Sequence, residues 1–213
     1  MYRMFCIVVG YFIGCIQTAF IVGKFIGNLD IREHGSGNAG TTNVTRVMGW
    51  RAGVFVFAVD ILKAVLAYAL CSLIFGGRFA PGGAGLVSGE SILPGLYAGA
   101  GVILGHNFPF YMKFKGGKGI ASSVGVILCV DWRISLIDYA CALFGALITK
   151  YVSLASLIVT GLFPILLFLF GYQLEVCLIE LAMAGLAYFQ HRDNIKRLAA
   201  GTERKFSIGG EPK

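Results

Sequence analysis

Charge is scarce in this 213-residue chain: Asp, Glu, Lys and Arg together make up only 14% of it, against roughly a quarter in an average soluble domain. Hydrophobic residues supply 57% and mean hydropathy is +0.77. A water-exposed globule of this composition has too little polar surface to cover itself, which disfavours a soluble enzyme, a disordered chain and a nucleic-acid-binding domain. Paired cysteines are missing as well. Cys6, Cys15, Cys71, Cys129, Cys141 and Cys177 lie in apolar stretches without CxxC spacing, so no metal site, disulfide framework or thiolate nucleophile is expected. The three histidines lack the HxxxxD acyltransferase pairing, because Ala39, Tyr111 and Lys196 stand five residues after His34, His106 and His191. A DxxDG-type metal cluster is also absent. With no internal repeat and no low-complexity tail, residues 1–213 read as a single transmembrane domain.

What the chain does have is apolar runs. A helix crossing the hydrocarbon needs about 20 such residues. Candidates are Met4–Ile26, Gly53–Phe75, Ile92–Tyr111, Ile120–Val130, Ile134–Thr149, Val152–Phe170 and Leu174–Phe189. The first run is long for a signal-peptide core and lacks a small-x-small cleavage site, so it reads as a retained span. Residues 119–149 are too long for one comfortable span, and Asp131-Trp132-Arg133 interrupts their middle. A charge at mid-bilayer costs about 2.5–3.5 kcal/mol on insertion scales, so a turn at an interface between two short helices is the cheaper arrangement. The reading is an all-α integral membrane protein with seven transmembrane helices.

Basic residues orient it. Connections after odd-numbered spans hold fourteen of the eighteen Lys and Arg residues, whereas Arg3, Arg78 and Arg133 fall on the other side and Lys63 lies within a span. The basic side is cytoplasmic, which puts the N-terminus outside and the C-terminus in the cytoplasm.

The polar motifs follow odd-numbered spans too. The first, His34-Gly-Ser-Gly-Asn-Ala-Gly-Thr-Thr-Asn43 with Arg46 just beyond, combines backbone freedom at Gly35, Gly37 and Gly40 with Ser36, Thr41 and Thr42 hydroxyls, Asn38 and Asn43 amides, and a guanidinium suited to phosphate. The second runs from Gly105 through His106 to Lys115-Gly-Gly-Lys118-Gly119. It is a flexible cationic loop leading into a helix, but not a Walker A loop, because Met112 replaces the upstream glycine and Gly119 the Ser or Thr. The third, Lys150 to Ser156, is weak alone, since such hydroxyls often bond backbone within a helix. In the fourth, His191-Arg-Asp-Asn194 through Glu203, a helix would put His191 and Asn194 on one face. Asp60 and Lys63, three residues apart inside a span, form a self-neutralising pair read as structural, and Glu180 is a candidate buried carboxylate. Four anion-binding connections on one side suggest phosphate recognition at the cytoplasmic interface, by a lipid-making transferase or by a transporter of small phosphorylated or anionic solutes. The absence of matching inverted halves favours the enzyme.

Taken together, GSGNAGTTNVTR (35–46), GHNFPFYMKFKGGKG (105–119), YVSLASL (151–157) and HRDNIKRLAAGTE (191–203) closely resemble the bacterial acyl-phosphate:glycerol-3-phosphate acyltransferases, the PlsY family. The Asp60-x-x-Lys63 pair fits, and the likeness covers essentially the whole chain; Ala39 and Thr41 depart from the usual Pro and Ala. The resemblance implies transfer of a fatty acyl group from acyl-phosphate to the sn-1 hydroxyl of glycerol 3-phosphate, giving lysophosphatidic acid and phosphate. It implies a multi-pass protein of the bacterial inner membrane with its active site on the cytoplasmic side and no cofactor. It further implies that Ser36, Arg46, Lys118 and Asn194 bind phosphate, aided by Lys115, Thr41 and the loop of Gly35, Gly37, Asn38 and Gly40. His191 then orients substrate, with Ser36, His191 and Lys118 as the catalytic set. The proton of the attacking hydroxyl goes to substrate phosphate, with His191 as the second candidate base.

Overall fold

The computed structural model describes residues 1–76 and 92–206; Arg78 and Lys213, counted in the charge asymmetry, lie outside them. Among the described residues the regular structure is helical, with no strand. The helices are α1 (Tyr2–Gly14), α2 (Thr18–Phe25), α3 (Thr41–Met48), α4 (Trp50–Phe75), α5 (Leu93–Asn107), α6 (Ile120–Val130), α7 (Trp132–Thr149), α8 (Val152–Leu169), α9 (Leu174–Gln190) and α10 (Arg192–Ala199). The Tyr2–Phe25 stretch, α4, α7 and α8 are long and apolar enough to cross a membrane. The 11 residues of α6 extend only about 16 Å, roughly half of a hydrocarbon core.

The turn expected at Asp131 is there. Its carboxylate caps α7, accepting from the backbone N–H of Arg133 at 2.9 Å and pairing with the Arg133 guanidinium at 2.9 Å. Two other boundaries differ from the apolar runs. The third run stops being helical at Asn107 rather than Tyr111, and the first is broken at Cys15–Gln17 between α1 and α2.

That break strands carbonyls within the apolar layer, where each needs a partner. Lys63 Nζ donates to the Ile16 carbonyl at 2.8 Å and to that of Gly14 at 3.3 Å, while the Tyr111 hydroxyl donates to the Cys15 carbonyl at 2.8 Å. Asp60 pairs with Lys63 at 2.8 Å and accepts from Thr18 at 2.9 Å. The intramembrane pair therefore closes a broken helix as well as neutralising itself.

Small residues let α1 and α5 approach backbone to backbone, the Gly-xxx-Gly device of membrane helices. Gly10 and Gly14 face Ala98 and Val102, and Gly101 and Gly105 face Ile7 and Tyr11; a Cβ on any of the four glycines would lie 1.9–2.2 Å from a carbonyl oxygen of the facing helix. Leu96, Val102, Val126, Ile127, Phe163, Leu167 and Val176 fill the centre of the bundle, while Phe12, Leu66, Leu143, Leu147, Phe168 and Leu181 point outward. An apolar exterior around a packed interior suits a bilayer as solvent. The polar ends of α3, α5, α8, α9 and α10 meet at one end of this bundle.

Candidate active site

The glycine-rich loop after α2 is folded by Asn43 on α3. This side chain, 1% exposed, accepts from the Ser36 backbone N–H at 2.8 Å and donates to the carbonyls of Ile31 and His34 at 3.0 and 2.9 Å. Gly35 has φ +62° and a Cβ there would sit 2.3 Å from Asn43 Oδ1, so the loop requires glycine at that position. Asn43 thus holds the loop instead of offering its amide to a ligand. At the loop's entrance Asp30 accepts from Arg32, whose neighbouring guanidinium holds the carboxyl down to about 2.

The second loop lies on the end of α5. Gly116 N–H donates to the Asn107 carbonyl and Gly117 N–H to the His106 carbonyl, both at 3.1 Å. Gly119, with φ +77°, then turns the chain into α6. This geometry carries Lys118 across to α10, where its ammonium donates to Asn194 Oδ1. Asn194 Nδ2 donates to Glu203 at 2.6 Å, and Arg197 donates to the same carboxylate at 2.7 Å. The tail is fastened in turn by Phe206 N–H to the Lys150 carbonyl at 2.8 Å.

These segments enclose a cleft of about 660 Å³. Its wall includes Gly35, Ser36, Gly37, Asn38, Arg46, Lys115, Lys118, His191 and Asn194, all singled out from sequence. Gly40 and Thr41 are not part of it. Gly40 precedes the first turn of α3, and Thr41 turns its hydroxyl into a buried position without a hydrogen-bond partner, leaving Thr42 on the wall. The Asp60–Lys63 pair also lies outside the wall. Six cations, Arg46, Lys115, Lys118, Arg192, Arg197 and Arg204, face two carboxylates, Asp193 and Glu203. Arg46 has no ion-pair partner among the described residues.

Titration reflects the enclosure. Burial, then the nearby Arg197 cation, lowers the Lys118 ammonium to about 8. Burial pushes the Glu203 carboxyl up, but hydrogen bonds from Asn194 and Arg197 outweigh it and hold the group below its ordinary range. Burial, then the Lys118 cation, brings the His191 imidazole down to about 4. His191 Nδ1 lies 2.8 Å from the Ala187 carbonyl. A carbonyl only accepts, so Nδ1 carries the proton and Nε2 is left as an acceptor.

Two wall residues carried no clear signal in the sequence. Asn107 is 1% exposed, and neither polar atom of its amide has a partner among the described residues. The Ser153 hydroxyl faces the Glu203 carboxylate and helps to hold it ionised, whereas Ser156 bonds the Val152 carbonyl at 2.9 Å as helix serines often do. The partnerless Asn107 amide is a polar group open to a ligand, since buried polar atoms are rarely left unpaired. A cationic cleft with an acceptor imidazole at its rim is suited to holding a phosphate ester and fixing a hydroxyl.

A family model described as glycerol-3-phosphate acyltransferase matches residues 4–201. The chain belongs to this family. The acyltransferase is 43% identical over 205 residues to the glycerol-3-phosphate acyltransferase of Thermoanaerobacter sp. (strain X514), covering 96% of each chain. It is 42% identical to that of Clostridioides difficile (strain 630), covering 93% of this chain and 92% of the relative. Among solved structures it resembles PlsY (YgiH), an integral membrane glycerol 3-phosphate acyltransferase. The glycerol 3-phosphate form superposes with a TM-score of 0.84 at 33% identity over 97% of this chain and 96% of that one. The lysophosphatidic acid form gives 0.82 at 32% identity over 98% and 97%.

Proposed function

We propose that the acyltransferase uses acyl-phosphate as donor and acylates the sn-1 hydroxyl of glycerol 3-phosphate, releasing lysophosphatidic acid and inorganic phosphate. The observation that carries this reading is the excess of cations around one cleft, with Arg46 unclaimed by any carboxylate among the described residues. Both substrates bring a phosphate, and such a surface accommodates two anions where a thioester donor would bring none at the reacting carbon. The glycerol 3-phosphate and lysophosphatidic acid forms of PlsY supply the acceptor and product by likeness. Residues 1–213 act as one seven-span domain in a bacterial inner membrane, N-terminus outside, with the cleft and its positive loops facing the cytoplasm.

In this reading Arg46, Lys118, Ser36 and Asn194 hold phosphate oxygens through charge-assisted and neutral hydrogen bonds, with Lys115 and the backbone of residues 35–38 around them. His191 accepts a hydrogen bond from the glycerol moiety at Nε2 and thereby aims the sn-1 oxygen. That oxygen attacks the acyl carbonyl carbon, the bond from this carbon to the phosphate oxygen breaks, and the phosphate departs with the bonding electrons. The hydroxyl proton passes to phosphate. An imidazole brought down to about 4 is a weaker base than a phosphate monoester whose second ionisation lies near about 6, which favours substrate phosphate over His191 as proton acceptor. Acyl-phosphate is an activated mixed anhydride, so positioning and electrostatics are the main demands on the protein.

Purified protein in detergent should make lysophosphatidic acid from acyl-phosphate and glycerol 3-phosphate alone. A requirement for acyl-CoA or acyl carrier protein would overturn the donor assignment. No turnover in detergent, together with phosphate uptake into sealed vesicles, would favour the transporter.

A further inference from the structure

The intramembrane charge pair does not end at the broken first helix. Lys63 Nζ also lies 2.9 Å from His106 Nδ1, and an ammonium has only donors, so Nδ1 accepts and Nε2 of a neutral ring keeps the proton. His106 is 3% exposed, and Gln17 Nε2 donates to its carbonyl at 2.8 Å. The imidazole is therefore fixed from one side by Lys63 and, through it, by Asp60 and Thr18.

Its other side meets the second phosphate loop. The His106 carbonyl accepts from Gly117 N–H, and a Cβ added at Gly117 would lie 2.1 Å from His106 Nε2. At Gly116 an added Cβ would lie 2.1 Å from the His106 carbonyl oxygen. Gly116 and Gly117 thus rest on His106 with no space between, and Lys118 is the next residue. The chain of contacts runs from Thr18 through Asp60, Lys63 and His106 to the loop that aims Lys118 into the cleft.

We propose that His106 is a positioning residue: clamped by Lys63, it is the seat on which Gly116 and Gly117 lie, and it fixes where Lys118 meets the phosphate of glycerol 3-phosphate. The inference rests on the phosphate-binding reading of the cleft given above. In this position His106 is unsuited to act as a base, because its Nδ1 is committed to Lys63 and its Nε2 is covered by glycine backbone.

The test is a thermodynamic cycle on the full chain in detergent, with glycerol 3-phosphate binding titrated calorimetrically in the parent, His106→Ala, Lys118→Ala and the double variant. His106→Ala should weaken binding about tenfold, the effect of a small misplacement of a cation. On the Lys118→Ala background the same change should cost less than about twofold, because the residue it positions is gone. In steady state, His106→Ala should raise KM for glycerol 3-phosphate about tenfold while kcat and KM for acyl-phosphate move less than about threefold. His106→Asn, which restores an acceptor for Lys63 without the ring, should recover part of the loss, and it replaces the alanine in the cycle if His106→Ala does not accumulate. Equal losses on both backgrounds, no loss at all, or failure of both variants to fold would overturn the proposal and leave His106 a scaffold residue. If the parent itself does not bind glycerol 3-phosphate, the reading of the cleft fails and the positioning role fails with it.

Discussion

Gly105 of α5 lies against the backbone of Tyr11 on α1, so closely that a Cβ on it would stand 2.1 Å from the Tyr11 carbonyl oxygen. The oxygen belongs to a helix and cannot swing away, so a larger residue forces the two helices apart. Gly105→Leu is expected to lower the thermal midpoint in detergent strongly, by the equivalent of about 2–5 kcal/mol, since separation opens voids along the shared face. Gly185→Ala on α9, where an added Cβ meets nothing within 4 Å, should leave the midpoint unchanged or raise it slightly. Equal behaviour of the two variants would show that the α1–α5 contact carries no special weight.

Arg46→Ala and Lys118→Ala should abolish turnover, or lower it by at least about 100-fold, while the protein still folds in membranes. On the proposed reading each removes a preorganised cationic donor to phosphate, the kind of loss that costs about 2.7–4 kcal/mol, and in Lys118→Ala the Asn194 Oδ1 loses its donor as well. Turnover with intact fold separates this outcome from general damage. Near-normal activity in both variants would contradict their assignment to phosphate.

On the phosphate-binding reading, the Lys118 ammonium, lowered to about 8, should set the alkaline side of the pH profile. The form that binds phosphate is the protonated one, which is complete below about 8 and lost as pH rises through it. For free enzyme, kcat/KM toward glycerol 3-phosphate should hold up to about pH 8 and then fall about tenfold per unit. The acid side should follow the substrate phosphate near about 6 and not His191, which stays neutral down to about 4. Profiles of Lys118→Arg and His191→Ala check this: the first, whose guanidinium stays charged at alkaline pH, loses the alkaline limb in whatever activity it retains, and the second keeps the acid limb. Disappearance of the acid limb in His191→Ala would make that histidine the base.

Glu180 on α9 is 5% exposed and its Oε1 has no hydrogen-bond partner among the described residues; Asp138 on α7 is fully buried with both oxygens likewise unpartnered there. A carboxyl group without an ion-pair partner holds no contact that an isosteric amide would lose. Glu180→Gln should therefore leave the thermal midpoint within the equivalent of about 1 kcal/mol and activity unaltered. A loss beyond about 2 kcal/mol would reveal a charge held there by a partner.

Much of the helix order was legible because apolar run length and the polar interruption at Asp131 are local signals, and the cap geometry at Asp131 follows directly from them. The break at Cys15–Gln17 was not, since no proline or charge marks it and its carbonyls are satisfied by Lys63 and Tyr111 from distant segments. At the cleft, residue types at motif spacing drew attention to Ser36, Arg46, Lys118, His191 and Asn194. The division of labour within motifs was hidden. Asn43 staples its own loop, and Thr42 replaces Thr41 on the wall because the first turn of α3 rotates them to different sides. Asn107 escaped notice because one amide beside the more conspicuous His106 and Pro109 carries no pattern of its own. Asp138 sat unremarked in an apolar run for the same reason.

The tail from His191 to Phe206 forms one wall of the cleft, folded on itself by Glu203 with Asn194 and Arg197 and tied to Lys118 and Lys150. A nascent chain emerging from the ribosome lacks this wall until residues near 206 are free, however early its first helices have inserted. On the proposed reading, a chain cut short before that segment would keep its spans in the bilayer yet lack the wall that grips glycerol 3-phosphate.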